Sequence, residues 1–385
     1  MRVHAALPDS SPVTPGCVGM TQGGGDNSYA QNSKVQRKLT DSVLPLFFEA
    51  IRSMRLPESD EVFRIIDMGC SSGPNTVTNV EAIIEQVQAR YREQGSKMPE
   101  VQVFFQDLPD NDFNTLFKYL SSETKNSRIA KALNYKAAAV AGSFCDCLFP
   151  KANINIALST LALHWLSKIP DAVLDKQSPA YNCGQTDLHC ARLATVQAFS
   201  EQAERELDSF LAARAYEVVS GGLVFLTFMI QQGDFYPYRL DPLVHAQDEV
   251  WNQLVAEGAV SEELRDAYNL PSYFRTLGEV KKQLEKYSSV FQVEKYEVIP
   301  QKYDRMLDGY SNLRQSARAQ VLFTQGLCES LHESYFGKST TDLFYTRLEE
   351  AYYDLFSGWK SGAVKPEQLS SLGMLVLTLR RITVC

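Results

Sequence analysis

The segment from Val62 to Asn75, VFRIIDMGCSSGPN, constrains the fold of this chain more than any other segment. It opens with a mostly apolar run of strand length that ends at Asp67, and a glycine turn and Gly73-Pro74 follow. Such a run bounded by glycine predicts a buried strand, and proline is favoured in the first turn of a helix. The segment therefore predicts a buried strand, a tight turn and a helix over about 75–94.

Strand and helix patterns alternate along the first 235 residues. Further elements are predicted at Lys34–Met54 (helix) and at Val101–Phe105, Ala137–Ala141, Ile154–Ser159 and Leu223–Phe228 (strands). This alternation favours a parallel sheet that is covered by helices on both faces. Beyond Tyr238 the pattern is mainly helical, with strands at Phe291–Ile299 and Met374–Thr383.

We expect a disordered tail over 1–19, rich in Pro, Ser and Gly, and one domain over 20–385. Its core spans about 20–235 plus the strands near 288–300 and 372–385. A helical cap takes about 236–287 and 301–371.

Charge and hydropathy exclude several classes of partner. The net charge of −8, without a long run of Lys or Arg, gives no electrostatic reason to bind nucleic acid or an anionic membrane. The longest apolar stretch, Gly222–Ile230, is far shorter than the roughly 18 to 20 residues of a membrane span. Eight cysteines without a CxxC pair predict reduced thiols in the cytosol, with neither a disulfide framework nor a zinc site. We expect a cytoplasmic protein with a small-molecule ligand.

Two acidic residues follow predicted strands and indicate a ligand site. Asp67 precedes a G-x-x-x-G turn that differs from the GxGxxG pattern and lacks the Lys of a phosphate-binding loop, which disfavours a pyrophosphate cofactor. A turn without a ligand is the competing interpretation. Asp107 lies just after the second predicted strand, where a carboxylate could bind ribose or cap a helix. Together the two residues favour a nucleoside site at one sheet edge.

Further segments carry a family pattern. Residues 23–33 read GGGDNSYAQNS, and the segments DMGCSSGPN and QDLPDNDFN follow at residues 67–75 and 106–114. GSF and LFP lie within residues 142–150, LHWLS spans 163–167, and NLPSY spans 269–273. In this order the segments resemble the plant SABATH family of S-adenosylmethionine-dependent methyltransferases, over nearly the whole chain after residue 19. The resemblance implies a Rossmann-like α/β sheet with helices on both faces and a helical cap lobe.

The resemblance also assigns residues to S-adenosylmethionine. Asp67 would serve its methionine moiety, Asp107 and Leu108 the ribose and adenine, and Ser143 and Phe144 the adenine side. The full set that it implies is Tyr29, Ser33, Asp67, Cys70, Asn75, Asp107, Leu108, Ser143 and Phe144.

By the same resemblance, Gln36 and Trp165 hold the carboxylate of the methyl acceptor. The substrate wall would include Leu161, His164, Tyr273 and Leu372. From the residues alone, the preferred interpretations are an exposed helix glutamine for Gln36 and a core tryptophan for Trp165. His164 stands where salicylate-preferring members tend to carry methionine, so a salicylate specialist is not expected.

The chemistry requires little of the protein if the acceptor is an acid. A carboxylic acid with a pKa near about 4 is ionised at neutral pH, so no catalytic base is needed and positioning carries the rate. We therefore expect methyl esters of small, benzoate- or cinnamate-like acids. The alternatives are N- or S-methylation of a heterocycle or thiol, which needs a base for which His164 is the obvious candidate, and a non-catalytic binding protein on the same fold.

A metal and a second subunit are further implications of the resemblance. Asp266, Tyr268 and Asn269 parallel a segment at which some members bind magnesium, and Asp266 and Asn269 offer the hard oxygens that this ion prefers. Capping of a helix end explains the same residues equally well. A homodimer is expected.

Overall fold

The fold is described from a computed structural model of the chain, for residues 19–58, 61–121, 133–188, 191–232, 242–300, 312–363 and 372–382. The predicted tail lies outside these residues except for Gly19, and parts of the predicted cap also lie outside them. The cysteines that the structure describes, at positions 70, 145, 147, 183 and 328, are free thiols.

One sheet of eight strands forms the centre of the described chain. The strands are β1 (Val62–Met68), β2 (Glu100–Asp107), β3 (Tyr135–Ala141), β4 (Ile154–Thr160), β5 (Val218–Gln231), β6 (Arg275–Thr276), β7 (Phe291–Pro300) and β8 (Leu372–Arg381). Their order is β3-β2-β1-β4-β5-β8-β7, and β6 pairs with the end of β5. Every predicted strand is present, whereas the two-residue β6 was not predicted.

The sheet is mixed: the strands of the first 235 residues pair in parallel, as their alternation with helices predicted, whereas the sequence left the polarity of the last two strands open. Strands β1 to β5 pair in parallel, but β8 runs antiparallel to both β5 and β7. An apolar run such as β8 reads alike in either direction, so the pattern of side chains gives no sign of strand polarity.

Helices connect and cover the strands. They are α1 (Tyr29–Asn32), α2 (Lys34–Ser53), α3 (Pro74–Glu93), α4 (Phe113–Ser121), α5 (Asp171–Leu174), α6 (Leu193–Glu217), α7 (Pro242–Ala256), α8 (Glu262–Ala267), α9 (Leu277–Lys286), α10 (Leu313–Phe336) and α11 (Lys338–Lys360). None of these described helices is both long and apolar enough to cross a membrane.

Each face of the sheet buries its own hydrophobic cluster, as an α/β sheet with helices on both sides requires. Helices α2 and α3 pack on one face, where Phe47 of α2 stacks on Phe225 of β5 with ring centroids 4.7 Å apart. Helices α6 and α9 pack on the other face, through residues such as Phe210 and Val280. The predicted α/β fold with helices on both faces is confirmed.

A separate cluster holds the cap together. Trp251 of α7 is fully buried and stacks on Phe336 and Phe344, both at a centroid distance of 4.1 Å, so α7, α10 and α11 share one core. The strand β6 and helix α9 fall within the segment predicted as cap, but the structure places them with the sheet. The capping box at Thr276 and Glu279 begins α9 directly after β6.

Candidate active site

The carboxyl ends of the parallel strands open onto a cavity of about 330 Å³ that extends beneath the cap. Open α/β sheets bind ligands at this edge, in the crevice where the strand order reverses. Gly69 lines the cavity from the loop after β1, Asp107 from the end of β2 and Leu161 from the loop after β4. Gln247 and Thr324 line it from the cap.

The turn after β1 is shaped for close contact. Gly69 has φ +73°, and a Cβ atom at this position would lie 2.5 Å from the Cβ of Ala162. Glycine is therefore required for both its conformation and its size. The backbone N–H groups of Gly69 and Cys70 donate to the carbonyl oxygen of Gln106 at 2.9 and 3.0 Å, which joins this turn to the end of β2.

Asp67, two residues before Gly69 in β1, is 1% exposed and is not itself among the residues that line the cavity. Its Oδ2 accepts a hydrogen bond from the hydroxyl of Thr76, whereas Oδ1 has no partner among the described residues. The pKa of Asp67 is raised to about 7: burial is the main cause, the hydrogen bond from Thr76 opposes the rise, and the nearby Asp107 carboxylate adds to it. A cationic ligand group, such as the amine of S-adenosylmethionine, would supply the missing partner for Oδ1 and relieve the crowding of negative charge.

Asp107 fixes the second loop of the site. Its carboxylate accepts hydrogen bonds from the backbone N–H of Ser71 at 2.6 Å and of Leu108 at 2.8 Å. Burial raises the pKa of Asp107, and these two hydrogen bonds oppose that rise. The carboxylate thus ties the turn after β1 to the turn after β2, and Leu108 lines the cavity beside it.

Residues 19–27, which we call the N-terminal strap, cover this part of the cavity. Gly19 and Met20 line it. The N–H and hydroxyl of Thr21 donate to the carbonyls of Gly326 and Gln325 in α10, at 3.0 and 2.5 Å. Gln22 donates to the carbonyl of Asp110 at 2.5 Å. The strap therefore connects the cap to the loop after β2.

The remaining residues predicted to bind the cofactor divide into two groups. Tyr29, Ser143 and Phe144 line the cavity, and burial together with the Asp107 and Asp67 carboxylates raises the pKa of the Tyr29 phenol. Ser33, Cys70 and Asn75 do not line it. The amide of Asn75 instead donates to the Ser33 carbonyl and hydroxyl, both at 3.0 Å. These bonds connect the first turn of α3 to the residue before α2.

The acceptor side of the cavity contains Gln36 and Trp165. Gln36 lies in the first turn of α2, and its Oε1 has no hydrogen-bond partner among the described residues. Trp165 follows β4 on a segment that pairs with Ser272 through an isolated bridge. Residues 129 positions apart therefore line the same cavity, and their role in holding the acceptor stays a prediction.

His164 is buried and neutral. It is 8% exposed, and its ring packs edge-on against Phe274 at 5.4 Å. Burial, and then the charge of Arg275, lowers the pKa of His164 to about 3. The backbone N–H of Met229 lies 3.5 Å from Nδ1. A histidine with so low a pKa is a weak base at neutral pH.

Only some of the residues predicted to contact the substrate line the cavity. Leu161 and Leu372 line it, and Leu161 holds a left-handed backbone conformation with φ +55°. Tyr273 does not line it: its hydroxyl donates to Glu279 at 2.9 Å, and its neighbours Ser272 and Phe274 form the wall instead. The strand-like alternation of this short segment turns Tyr273 away from the cavity.

The side chains of the predicted magnesium site already have protein partners. Asp266 accepts hydrogen bonds from Arg265 at 2.8 Å, from the N–H of Gly184 at 3.0 Å and from Tyr181 at 3.2 Å. The Asn269 side-chain oxygen accepts from Asn182 at 2.8 Å. Tyr268 packs in the aromatic cluster of the cap. The oxygens predicted to bind magnesium thus already accept hydrogen bonds from the protein, and Ser261, not Asp266 or Asn269, caps the helix Glu262–Ala267.

Several cavity residues were not predicted as site residues. Four of them lie within the quoted motifs and could have been included with them: Ser71, Gln106, Asn111 and Leu166. Others had no sequence signal: Met229, Leu243, Gln247, Gln320, Phe323 and Leu331. In the sequence, the cap residues look like ordinary helix positions, because only the packing of the cap over the sheet brings them to the cavity.

Comparisons with known proteins agree with this arrangement. The family model described as SAM dependent carboxyl methyltransferase matches residues 16–381. Gibberellic acid methyltransferase 2 of Arabidopsis thaliana is 39% identical over 269 residues, 67% of this chain and 69% of that protein. Indole-3-acetate O-methyltransferase 1 of the same plant is 34% identical over 344 residues, 86% of this chain and 89% of that protein.

A solved structure shares the whole fold. The structure described as loganic acid methyltransferase with SAH has a TM-score of 0.81 and 30% sequence identity, and the match covers 94% of this chain and 99% of that one. Because the family model matches nearly the whole chain and the relatives and the solved structure agree with it, the chain belongs to the SABATH family of S-adenosylmethionine-dependent carboxyl methyltransferases.

Proposed function

We propose that this enzyme forms the methyl ester of a small organic acid whose carboxylate is held by Gln36 and Trp165. The observation that carries the proposal is the position of these two neutral hydrogen-bond donors on an otherwise largely apolar wall, next to a neutral His164. An acid arrives already ionised, so such a wall needs to hold it and does not need to deprotonate it.

Gln36 and Trp165 would act by binding and orienting the carboxylate of the acceptor. The Gln36 amide and the Trp165 indole N–H can each donate to the carboxylate and leave a lone pair directed towards the cofactor side. Apolar neighbours such as Leu161 and Phe274 keep water away, which favours loss of charge on reaction. S-adenosylmethionine, held by the Asp67 and Asp107 loops, supplies the electrophilic methyl group.

For the acid itself we propose an aromatic body, benzoate- or cinnamate-like. Trp165, Phe274 and Phe323 around the acceptor side support this choice, because aromatic rings pack well on one another. Isoprenoid acids are the second candidate, since Leu161, Leu372 and the leucines of α10 make much of the wall aliphatic. The similarity to a gibberellic acid methyltransferase supports that candidate.

A turnover screen with labelled S-adenosylmethionine tests the proposal. The acids would be benzoate, cinnamate, salicylate, indole-acetate, jasmonate and a gibberellin, with thiobenzoate and xanthine as non-acid or thiol controls. We expect turnover on one or more acids with a rate nearly constant between about pH 6.5 and 8.5, because an acceptor of pKa near 4 is ionised throughout. Activity confined to xanthine or a thiol, rising about tenfold per pH unit, would contradict it.

Substitutions at two adjacent residues distinguish binding of the acceptor carboxylate from base catalysis. Trp165→Phe removes a donor and should lower kcat/KM for every acid by about 10- to 150-fold, or about 1.5–3 kcal/mol. His164→Met should redistribute preference among acids and leave the best one within about tenfold of the parent. Loss of all turnover in His164→Met, with cofactor binding intact, would instead assign His164 as a base.

The cellular setting of the enzyme belongs to the same proposal. We propose a cytoplasmic homodimer that binds neither nucleic acid nor membrane, on the basis of the net charge of −8 and the family pattern. Light scattering after size-exclusion chromatography tests the dimer.

The predicted magnesium role is tested by chelation. Because Asp266 is already bonded to Arg265, we expect EDTA to leave turnover within about twofold.

A further inference from the structure

Helix α6 carries charged side chains that are buried in the protein interior. Glu206 is 7% exposed, and Arg214 and Glu217 are each 1% exposed. Charged groups are seldom buried to this extent unless hydrogen bonds or opposite charges compensate them. Some of the groups that compensate these three side chains lie on α6 itself, and others belong to two segments that line the cavity, 144–149 and 163–167.

Glu206 binds the segment that carries Trp165. The backbone N–H of Ser167 donates to both of its carboxylate oxygens, at 2.9 and 3.1 Å, and the Ser167 hydroxyl donates to Oε1 at 2.5 Å. The Gln202 amide donates to the same Oε1 at 2.6 Å. The carboxylate thus fixes the chain two residues after the indole.

Arg275 binds the other end of this segment. Its guanidinium, 3% exposed, donates to the carbonyl oxygen of Leu163 and, at 2.8 Å, to that of Ala203 in α6. Residues 163–167 are therefore held at both ends by buried charged groups, and Trp165 lies between them. Fixing both ends limits how far the indole can move from the acceptor.

A second set of contacts on α6 holds the cofactor side. Arg214 donates to the carbonyl oxygens of Phe144 at 2.9 Å and Asp146 at 3.0 Å. Glu217 pairs with Arg214 at 2.7 Å and accepts the N–H of Phe149 at 2.9 Å. These contacts fix residues 144–149 and make none to the Trp165 segment.

We propose that Glu206 is a positioning residue for the methyl acceptor, which acts by fixing Ser167 and, through it, the indole of Trp165. Arg214 and Glu217 hold the cofactor segment in the same way, so α6 sets the geometry of the two halves of the site through separate groups. This inference rests on the proposed role of Trp165 in holding the acid.

The test compares Glu206→Gln with Glu217→Gln in the full-length enzyme. In Glu206→Gln an amide NH2 replaces one acceptor oxygen, so a donor of Ser167 or Gln202 loses its partner. We expect kcat/KM for the acid to fall about tenfold, with the Kd for S-adenosylhomocysteine within about twofold of the parent. Glu217→Gln should do the reverse, with a higher Kd for S-adenosylhomocysteine and an unchanged KM for the acid at saturating cofactor.

Ser167→Ala provides a milder variant in case Glu206→Gln folds poorly. It removes only the hydroxyl donor, and we expect about a two- to fivefold loss in kcat/KM for the acid without a change in cofactor Kd. Equal losses for acid and cofactor in these variants, or no loss for the acid, would overturn the proposal. Trp165→Phe is measured beside them: if it lowers kcat/KM and the Glu206 and Ser167 variants do not, the positioning role alone fails. If Trp165→Phe has no effect, the proposed role of the indole fails first.

Discussion

At the scale of single residues, the site is defined by carboxylates whose burial is costly without a cationic ligand. Asp67 has a pKa of about 7 in place of its ordinary 3.8, because it is buried and lies near Asp107. Between these two pH values the folded protein binds a proton at Asp67 that the unfolded chain releases. The contribution of this group to stability therefore falls as the pH rises from about 4 to 7.

Replacing this carboxylate should have opposite effects on stability and on binding. In Asp67→Asn the cost of burying a charge is gone, so the ligand-free protein should gain about 1 kcal/mol or more in free energy of unfolding at pH 8 and less at pH 5. Cofactor affinity should fall by about 10- to 150-fold. Denaturant unfolding at both pH values and calorimetry measure the two effects. A stability difference that does not depend on pH would contradict the assignment of the raised pKa to Asp67.

At the scale of elements, the turn between β1 and α3 depends on one glycine. Gly69→Ala combines a positive φ with a Cβ atom 2.5 Å from that of Ala162. We expect a loss of about 2–4 kcal/mol in stability together with weakened cofactor binding. Gly258, with φ +75° and nothing within 4 Å, is the matched control, and Gly258→Ala should cost only about 1 kcal/mol. Equal costs at the two positions, from denaturant unfolding, would show that contact with Ala162 is unimportant.

At the scale of the whole molecule, the N-terminal strap connects the cofactor loop to the cap. Because Thr21 bonds to α10 and Gln22 bonds to Asp110, a ligand that stabilises the loop should also stabilise the cap helix. Hydrogen exchange with and without S-adenosylhomocysteine measures this effect, and we expect slower exchange at both 105–115 and 321–331. Thr21→Ala should reduce the change in α10 and leave that in the loop. Slower exchange confined to the loop would contradict the connection.

The sequence by itself determined the elements and the cofactor loops. A strand, a glycine turn and a helix within 62–75 are set by neighbouring residues, because local apolar pattern, glycine and proline decide them. The family motifs likewise lie within short segments, so Asp67, Asp107 and Trp165 could be predicted as site residues without coordinates.

The tertiary structure decided the polarity of β8, the position of α9 and the acceptor wall. Tyr273 and Phe274 are equivalent in pattern, but the bridge between Trp165 and Ser272 turns one away from the cavity and the other towards it. Glu206 reads as an ordinary charge on a helix until Ser167, 39 positions earlier, is brought against it. These features depend on contacts between distant segments, and the energy of such contacts is set by packing that no local window of sequence contains.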